Sequence, residues 1–268
     1  MFSDLNRPPL RAADLRRGLD FYTQLDVVSR TGSTNADLLG RAADPAADRS
    51  VLIAEFQERG RGRHSRSWEA PAQSQIAMSI LLHMVGIGPE ELGWLPLLTG
   101  VAVVDAVREV AKVDAELKWP NDIIVGDKKL AGILAEVGKP GPDPVVVVGL
   151  GLNVSLREEE LPVPHATSLL LLDAEVTDRA TLVRAILRSF ASRISRWQDA
   201  GWAVDELAAD YRQRCASLGS SVRADLPGGE FLVGTAVDID EQGRLLIDVA
   251  GGNVPVSAGD VTHLRTVS

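Results

Sequence analysis

Arginine and glycine alternate in Arg59-Gly60-Arg61-Gly62-Arg63, between Gln57-Glu58 and His64-Ser65-Arg66-Ser67-Trp68. Arginine is permanently charged and forks two donors onto a carboxylate or phosphate. Glycine lets the backbone approach a ligand closely. Such a loop is suited to closing over an anion, and Trp68 offers a flat face on which a base stacks. A second set of chemically capable residues lies in Lys118-Trp119-Pro120-Asn121-Asp122 and, after a Gly126-Asp127 turn, Lys129. A hairpin over this stretch would bring Lys118, Asn121 and Lys129 towards one another. A third set, Ser33-Thr34-Asn35, precedes Ala36-Asp37-Leu38-Leu39. Ser33 or Thr34 is a natural helix N-cap, with Asp37 in capping-box spacing from Thr34, and the same hydroxyls and helix-start amides could hold a polar ligand.

The elements that must position these residues follow from apolar patterning. Val51-Leu52-Ile53-Ala54 reads as a buried strand leading into the loop. Gln75 to Met84 reads as a strand with Ile76, Met78, Ile80 and Leu82 on one face. Trp94 to Val113 is expected to be mostly helix, entered past Pro96, with a broad apolar stripe at Leu97, Val101, Val104, Ala106 and Val107. Ile123-Ile124-Val125 and Lys129 to Val137 are the arms of the hairpin. Val145 to Val148 is an apolar, β-branched run expected in a central strand, opening into Gly149-Leu150-Gly151-Leu152-Asn153. Before all of these, residues 1–25 read as a polar lead-in with a short helix about Ala12 to Gln24. Glu158-Glu159-Glu160 marks a surface loop. Asp178 to Trp197 is an amphipathic helix capped by Thr177 or Asp178, and a second helix spans about Val204 to Arg214. Cys215 is expected to be a partly buried, inert thiol.

From Ser217 the pattern changes to short β-rich runs: Val222-Arg223-Ala224, Phe231-Leu232-Val233, Ala236 to Ile239, Leu245 to Val249 and Asn253 to Val256. They are punctuated by Pro227-Gly228-Gly229, Gln242-Gly243 and Gly251-Gly252. A small all-β barrel consistent with an SH3-like fold is expected here. Three segments result: a lead-in over 1–26, a main domain over 27–216 and the small domain over 217–268.

The chain has 268 residues, is 45% hydrophobic and 24% charged, and carries a net charge of −9. This composition supports a sizeable core, and the acidic balance argues against a general nucleic-acid binder. With one cysteine there is no internal disulfide and no cysteine metal cluster, which fits a reducing cytoplasm. The four histidines, His64, His83, His165 and His263, are far apart and lack metal-ligand spacing. The N-terminal segment has no apolar core of a signal peptide, and no run reaches the roughly 20 apolar residues of a membrane span.

Taken in order, Ser33-Thr34-Asn35, Gln57 with Gly60-Arg61-Gly62-Arg63 and Trp68, Lys118-Trp119-Pro120-Asn121-Asp122, Lys129-Leu130-Ala131-Gly132-Ile133-Leu134 and Gly149-Leu150-Gly151-Leu152-Asn153 resemble the motifs of the biotin–protein ligases. The resemblance covers about residues 27 to 268. It implies an α+β fold, with a mixed sheet flanked by helices as in class II aminoacyl-tRNA synthetases, followed by the SH3-like domain. It also implies an enzyme that uses ATP, biotin and Mg²⁺ to make biotinyl-5′-AMP, then transfers biotin to a lysine of a biotin carboxyl carrier protein or domain. Biotin contacts are implied for Ser33, Thr34, Asn35, Gln57, Gly60, Arg61, Gly62, Arg63, Lys129 and Gly132. Nucleotide contacts are implied for Arg63, Arg66, Trp68, Lys118, Asn121, Asp122, Lys129 and Asn153. Lys129 and Arg63 would be catalytic, offsetting repulsion between the two reacting anions; the metal ligands stay unassigned. Two departures stand out. Arg59 occupies a position where the family often has a small residue. The 32 residues before Ser33 are too few for the N-terminal winged helix with which some members repress transcription.

Three other readings remain open on sequence alone. A lipoate–protein ligase uses a related fold and similar adenylation chemistry. A nucleic-acid-binding module would use the arginine loop and the barrel. A protein-interaction module would work through the barrel, although Phe231 is its one aromatic residue.

Overall fold

The computed structural model describes residues 7–226, 230–257 and 260–263. Short α1 (Ala12–Leu15) leads to β1 (Gln24–Val28), α2 (Thr34–Leu39), β2 (Ser50–Ala54) and β3 (Gln75–His83). Then come α3 (Trp94–Ala106), β4 (Glu116–Lys118), β5 (Asp122–Val125), β6 (Lys128–Lys139) and β7 (Val145–Asn153). Helices α4 (Arg179–Asp199) and α5 (Asp205–Arg212) precede the C-terminal strands β8 (Ser221–Asp225), β9 (Phe231–Ile239), β10 (Leu245–Val249), β11 (Gly252–Val256) and β12 (Asp260–His263).

The first seven strands form one mixed sheet in the order β1-β2-β3-β7-β6-β5-β4, with β1 and β2 parallel and the remaining pairs antiparallel. β7 is central, as its run of valines requires, and β3 is buried along both faces. Helix α3 is apolar on every side and buried on every side, more so than the one-sided stripe expected for it, because β4–β7, α4 and α5 all pack around it. Its regular turns end at Ala106, five residues of π-helix follow, and Lys112 closes it in the left-handed region at φ 57°.

The N-terminal stretch is integrated. Its helix stops at Leu15, well short of Gln24, because the chain turns at Gly18, where φ is 69°. Leu10, Leu15, Leu19 and Tyr22 then enter the main core. Arg179 anchors this stretch by donating to Glu55 Oε2 at 2.6 Å, Gln75 O at 3.2 Å and Pro8 O at 2.7 Å. Both charged side chains are buried, so each is the other's necessary partner. The amphipathic helix α4 is capped by Asp178, whose carboxylate accepts from the Thr181 N–H at 2.8 Å.

The C-terminal strands form an antiparallel sheet, β11-β10-β9-β8-β12, the SH3-like unit. β9 joins the two expected runs into one strand through Gly234. β12 carries no run long enough to be read in advance. The expected Pro227-Gly228-Gly229 turn lies outside the described residues. The β9–β10 turn is pinned to the main domain by two indoles, one at the start of α3 and one in the turn after β4: Trp94 donates to Glu241 O at 2.7 Å and Trp119 to Gly243 O at 2.9 Å. Cys215 is buried beneath this junction, and burial pushes its thiol pKa up.

Candidate active site

The glycine–arginine stretch is a small hairpin. Trp68 N–H donates to Gly60 O at 2.9 Å and Gly62 N–H to Arg66 O at 2.8 Å, with the tip at Arg63–Ser65. It folds over a cavity of about 120 Å³ lined by Ser33, Thr34, Asn35, Gln57, Arg61, Gly62, Arg63, Arg66, Trp68, Asn121, Asp122, Lys129 and Gly132, among others. Three sequence-separated motifs thus meet in one place. The cavity is smaller than the roughly 300–1,000 Å³ of ordinary ligand pockets, with the hairpin closed over it.

Each polar side chain has a traceable position. Ser33 caps α2 through Ala36 N–H, as expected for the N-cap, and is buried. Gln57 Oε1 accepts from Thr34 N–H at 2.9 Å and Thr34 Oγ1 at 3.1 Å, which holds the start of α2 against the end of β2. Ser79, from β3, donates within reach of Thr34 Oγ1 at 2.7 Å and Asn35 Oδ1 at 2.6 Å. Asn35 donates to Leu134 O at 3.1 Å and Glu136 Oε2 at 2.9 Å. Gly149 is required here, because a Cβ on it would lie 2.2 Å from Asn35 Oδ1.

The charged groups come from the hairpin that leads into β5 and β6. Asn121 pairs with Ile133 through backbone and amide, leaving its Oδ1 to accept from Arg63 at 3.0 Å. Lys129 Nζ lies 2.5 Å from Asp122 Oδ1. The Lys129 backbone is bracketed by a segment crossing β6: its N–H donates to His165 O at 2.7 Å and its carbonyl accepts from Thr167 N–H at 2.8 Å. The register between β5 and β6 shifts at Ile123/Ile124, beside this lysine. Trp68 lies across the glycine shelf of β6 and β7, and a Cβ on Gly151 would fall 2.3 Å from its ring. The indole donates to Gln75 Oε1 at 2.5 Å, and Lys129 Nζ is 5.6 Å from the ring centroid.

Three expected residues stand outside the lining. Gly60 belongs to the base of the hairpin. Asn153 is buried at the end of β7 and donates to Thr167 O at 2.9 Å, so it supports the segment bracketing Lys129 and does not face the cavity. Lys118 lies near enough to His263 of the C-terminal sheet that its charge, after burial, lowers the pKa of that ring. Conversely, Ser79, Gln75 and Glu136 were not picked out by sequence. They are single polar residues in apolar or mixed strands, and only the sheet register brings them to the site.

A second cleft, of about 480 Å³, opens beside Arg63 and Asn121, between Trp119–Pro120, Ile133–Ala135 and the Gln242–Arg244 turn. Among the described residues no group of three or more His, Cys, Asp or Glu side chains gathers as a metal centre. Nor is any described helix long and apolar enough to cross a membrane.

A hairpin bearing Arg61, Arg63 and Arg66 and a paired lysine over a hydrogen-bonding floor define a class: proteins that bind a small anionic ligand. The comparisons make the class specific. Residues 27–153 match the biotin/lipoate A/B protein ligase family, and residues 217–264 match the biotin protein ligase C-terminal domain. The chain is 50% identical to the biotin–[acetyl-CoA-carboxylase] ligase of Mycobacterium tuberculosis, over 98% of each chain. It is 32% identical to the bifunctional ligase/repressor BirA of Bacillus spizizenii, over 88% of this chain and 72% of that one. Among solved structures, the biotin protein ligase of Aquifex aeolicus in complex with biotin and ATP superposes with a TM-score of 0.74 at 26% identity, covering 91% of this chain and 100% of that one. The chain belongs to the biotin/lipoate A/B protein ligase family and has the biotin protein ligase fold.

Proposed function

We propose that this enzyme joins biotin to ATP as biotinyl-5′-AMP and passes the biotinyl group to a lysine of the biotin carboxyl carrier domain of a biotin-dependent carboxylase. The observation that carries this reading is the convergence of Lys129 and Arg63 with Ser33, Thr34 and Gln57 on one cavity. Biotin is neutral except for its carboxylate. A floor of hydroxyls and amides suits its ureido ring, and cations suit the acid and the phosphate it attacks.

In the first step a carboxylate oxygen of biotin bonds to the α-phosphorus of ATP, the bond to the bridging oxygen breaks, and pyrophosphate leaves. Repulsion between two anions is the main obstacle. Lys129 acts as a fixed ammonium at the reacting oxygens, held in place by Asp122 and by the backbone bonds at its own residue. Arg63, held by Asn121, supplies the second cation. Trp68 gives the adenine a face, with Arg66 beside it on the cavity wall. Mg²⁺ is bound by one or two carboxylates together with substrate phosphates, and Asp122 is the carboxylate that lines the cavity, so the residues fit an ion carried in with the nucleotide. When bound, it would neutralise phosphate charge.

In the second step the acceptor lysine's amine attacks the mixed-anhydride carbonyl carbon and AMP leaves with the bonding electrons. The amine then loses a proton, for which Asp122, on the cavity wall, is a candidate acceptor through its second carboxylate oxygen. The cleft beside Arg63 and Asn121 is the route we assign to the incoming lysine, because those two residues line both it and the cavity. In this reading residues 27–216 carry the chemistry and 217–268 buttress the Trp119–Asp122 turn, and the enzyme works in the cytoplasm. Pyrophosphate release with biotin and ATP, with lipoate as control, tests the proposal; release with lipoate alone would replace it by a lipoate ligase.

A further inference from the structure

Glu136 does not line the cavity, yet it joins two parts that do. Its Oε1 lies 2.8 Å from the Arg61 guanidinium, and its Oε2 accepts from Asn35 Nδ2 at 2.9 Å. Arg61 belongs to the hairpin that covers the pocket, and Asn35 belongs to the floor. We propose that Glu136 is a positioning residue: it latches the hairpin through Arg61 and so sets how long the adenylate is retained.

Each oxygen of this carboxylate is engaged, one at Arg61 and one at Asn35. Both N–H groups of Asn35 are committed, to Leu134 O and to Glu136, and its Oδ1 accepts from Ser79. Asn35 is therefore immobile, wedged against Gly149, and makes a rigid post for the latch. An unpaired carboxylate beside a site for two anionic substrates would repel them, and Arg61 offsets that charge. Arg61 is about half exposed while Glu136 is one-fifth exposed, so the mobile partner is the arginine and the fixed partner is the acid. Two further consequences follow. Arg61 is held by the chain before any ligand arrives. And Arg61 and Arg63 close the hairpin at separate points, on β6 and on the Trp119–Asp122 turn respectively.

This inference rests on the adenylate-forming function proposed above, and its test separates the two. The variants are Glu136→Gln, which keeps the size and can still accept from Asn35, and Arg61→Gln, at an exposed side chain. In the full-length protein, dissociation of labelled biotinyl-5′-AMP, made in situ and chased with unlabelled biotin, is expected to be about 2- to 5-fold faster in Glu136→Gln, the range for a partly exposed ion pair. The double variant is expected to release no faster than Arg61→Gln alone. Slower release from Glu136→Gln would mean that Glu136 competes with the ligand for Arg61, and multiplied effects in the double variant would mean the two act separately; either overturns the latch. If wild type forms no adenylate, the proposed function fails, yet the latch is still read in ligand-free protein. Trypsin should then cut Glu136→Gln near Arg61 or Arg63 about 2- to 5-fold faster than wild type, and equal rates overturn it.

Discussion

Lys129 Nζ lies 2.5 Å from Asp122 Oδ1, across the β5–β6 hairpin whose turn the sequence places at Gly126-Asp127. The pair does more than neutralise. It holds a flexible four-carbon side chain at the mouth of the glycine shelf, beside the Trp68 ring, where a reacting phosphate would lie.

Lys129→Ala should therefore remove adenylation while leaving a folded protein, since the residue is only partly buried and its backbone bonds remain. Loss of a preorganised charge at a reacting oxygen costs about 3–4 kcal/mol, a slowing of roughly 100- to 1,000-fold. Single-turnover pyrophosphate release measures it, with circular dichroism as the control for folding. Near-normal release from a folded variant would remove Lys129 from the mechanism.

Gly149→Ala should damage the biotin floor and not the charged wall. The added methyl would fall 2.2 Å from Asn35 Oδ1, and Asn35 cannot step aside without giving up Ser79, Leu134 and Glu136. Overpacking of this kind costs about 1–3 kcal/mol. The expected result is a lower thermal midpoint and weaker biotin binding by calorimetry, while ATP-dependent steps at saturating biotin change less. Unaltered biotin affinity would show that Asn35 plays no part in the floor.

How far these contacts were legible in advance depends on their range. The strand at Val51–Ala54, the helix from Asp178 and the hairpin from Leu117 to Val137 are announced by local pattern, and they are present as β2, α4 and β4–β6. Glu136, Ser79 and Gln75 carry no such mark. Their importance is created by register: Ser79 lies opposite Gly149 and Gln75 opposite Asn153, pairings between strands some seventy residues apart. The helix expected about Ala12 to Gln24 ends at Leu15, because the chain turns at Gly18. The C-terminal strands were broken at Gly234, which the sheet spans because a bare backbone there lets Asp248 O approach.

The junction between the two sheets should respond to acid. Ser217 Oγ lies 2.9 Å from His263 Nε2 and accepts from Trp119 N–H at 3.1 Å, linking β12 to the turn that bears Asn121 and Asp122. Burial, and then the charge of Lys118, lower the His263 pKa from its ordinary value. The folded form thus favours the neutral ring. The stability this contributes is complete above the unfolded pKa of about 6.5 and is lost as pH falls from there through the lower folded value. His263→Gln removes that titration. Thermal midpoints measured at about pH 7.5 and about pH 5.5 should fall further apart in wild type than in the variant. An equal drop in both would place the acid sensitivity elsewhere.

Arg63→Gly should make the enzyme leak its intermediate. After pyrophosphate leaves, biotinyl-5′-AMP keeps one negative phosphate, and Arg63 is a cavity-lining guanidinium that donates to a neutral acceptor, Asn121 Oδ1. That bond is weaker than one to an anion, so a ligand phosphate competes well with Asn121 for the guanidinium. Substitution loses a charge-assisted hydrogen bond to the ligand, worth about 1.5–3 kcal/mol. It also loses the contact that draws the hairpin tip towards Asn121, and an added glycine makes the hairpin harder to order by up to about 1 kcal/mol. Together these speed dissociation by roughly 10- to 100-fold, since each 1.4 kcal/mol or so is tenfold. Adenylation should persist, because Lys129 still faces the phosphate and its hold on Asp122 is independent of the hairpin. The released mixed anhydride would then acylate any exposed lysine, so labelling should spread from the carrier domain to bystander proteins. The measurement is biotin transfer to an added non-substrate protein, wild type against variant, with adenylate formation followed in the same samples. A variant that still forms adenylate, retains it as long as wild type does and labels no bystander would show that the hairpin holds its ligand through Arg61 or Arg66 and not through Arg63.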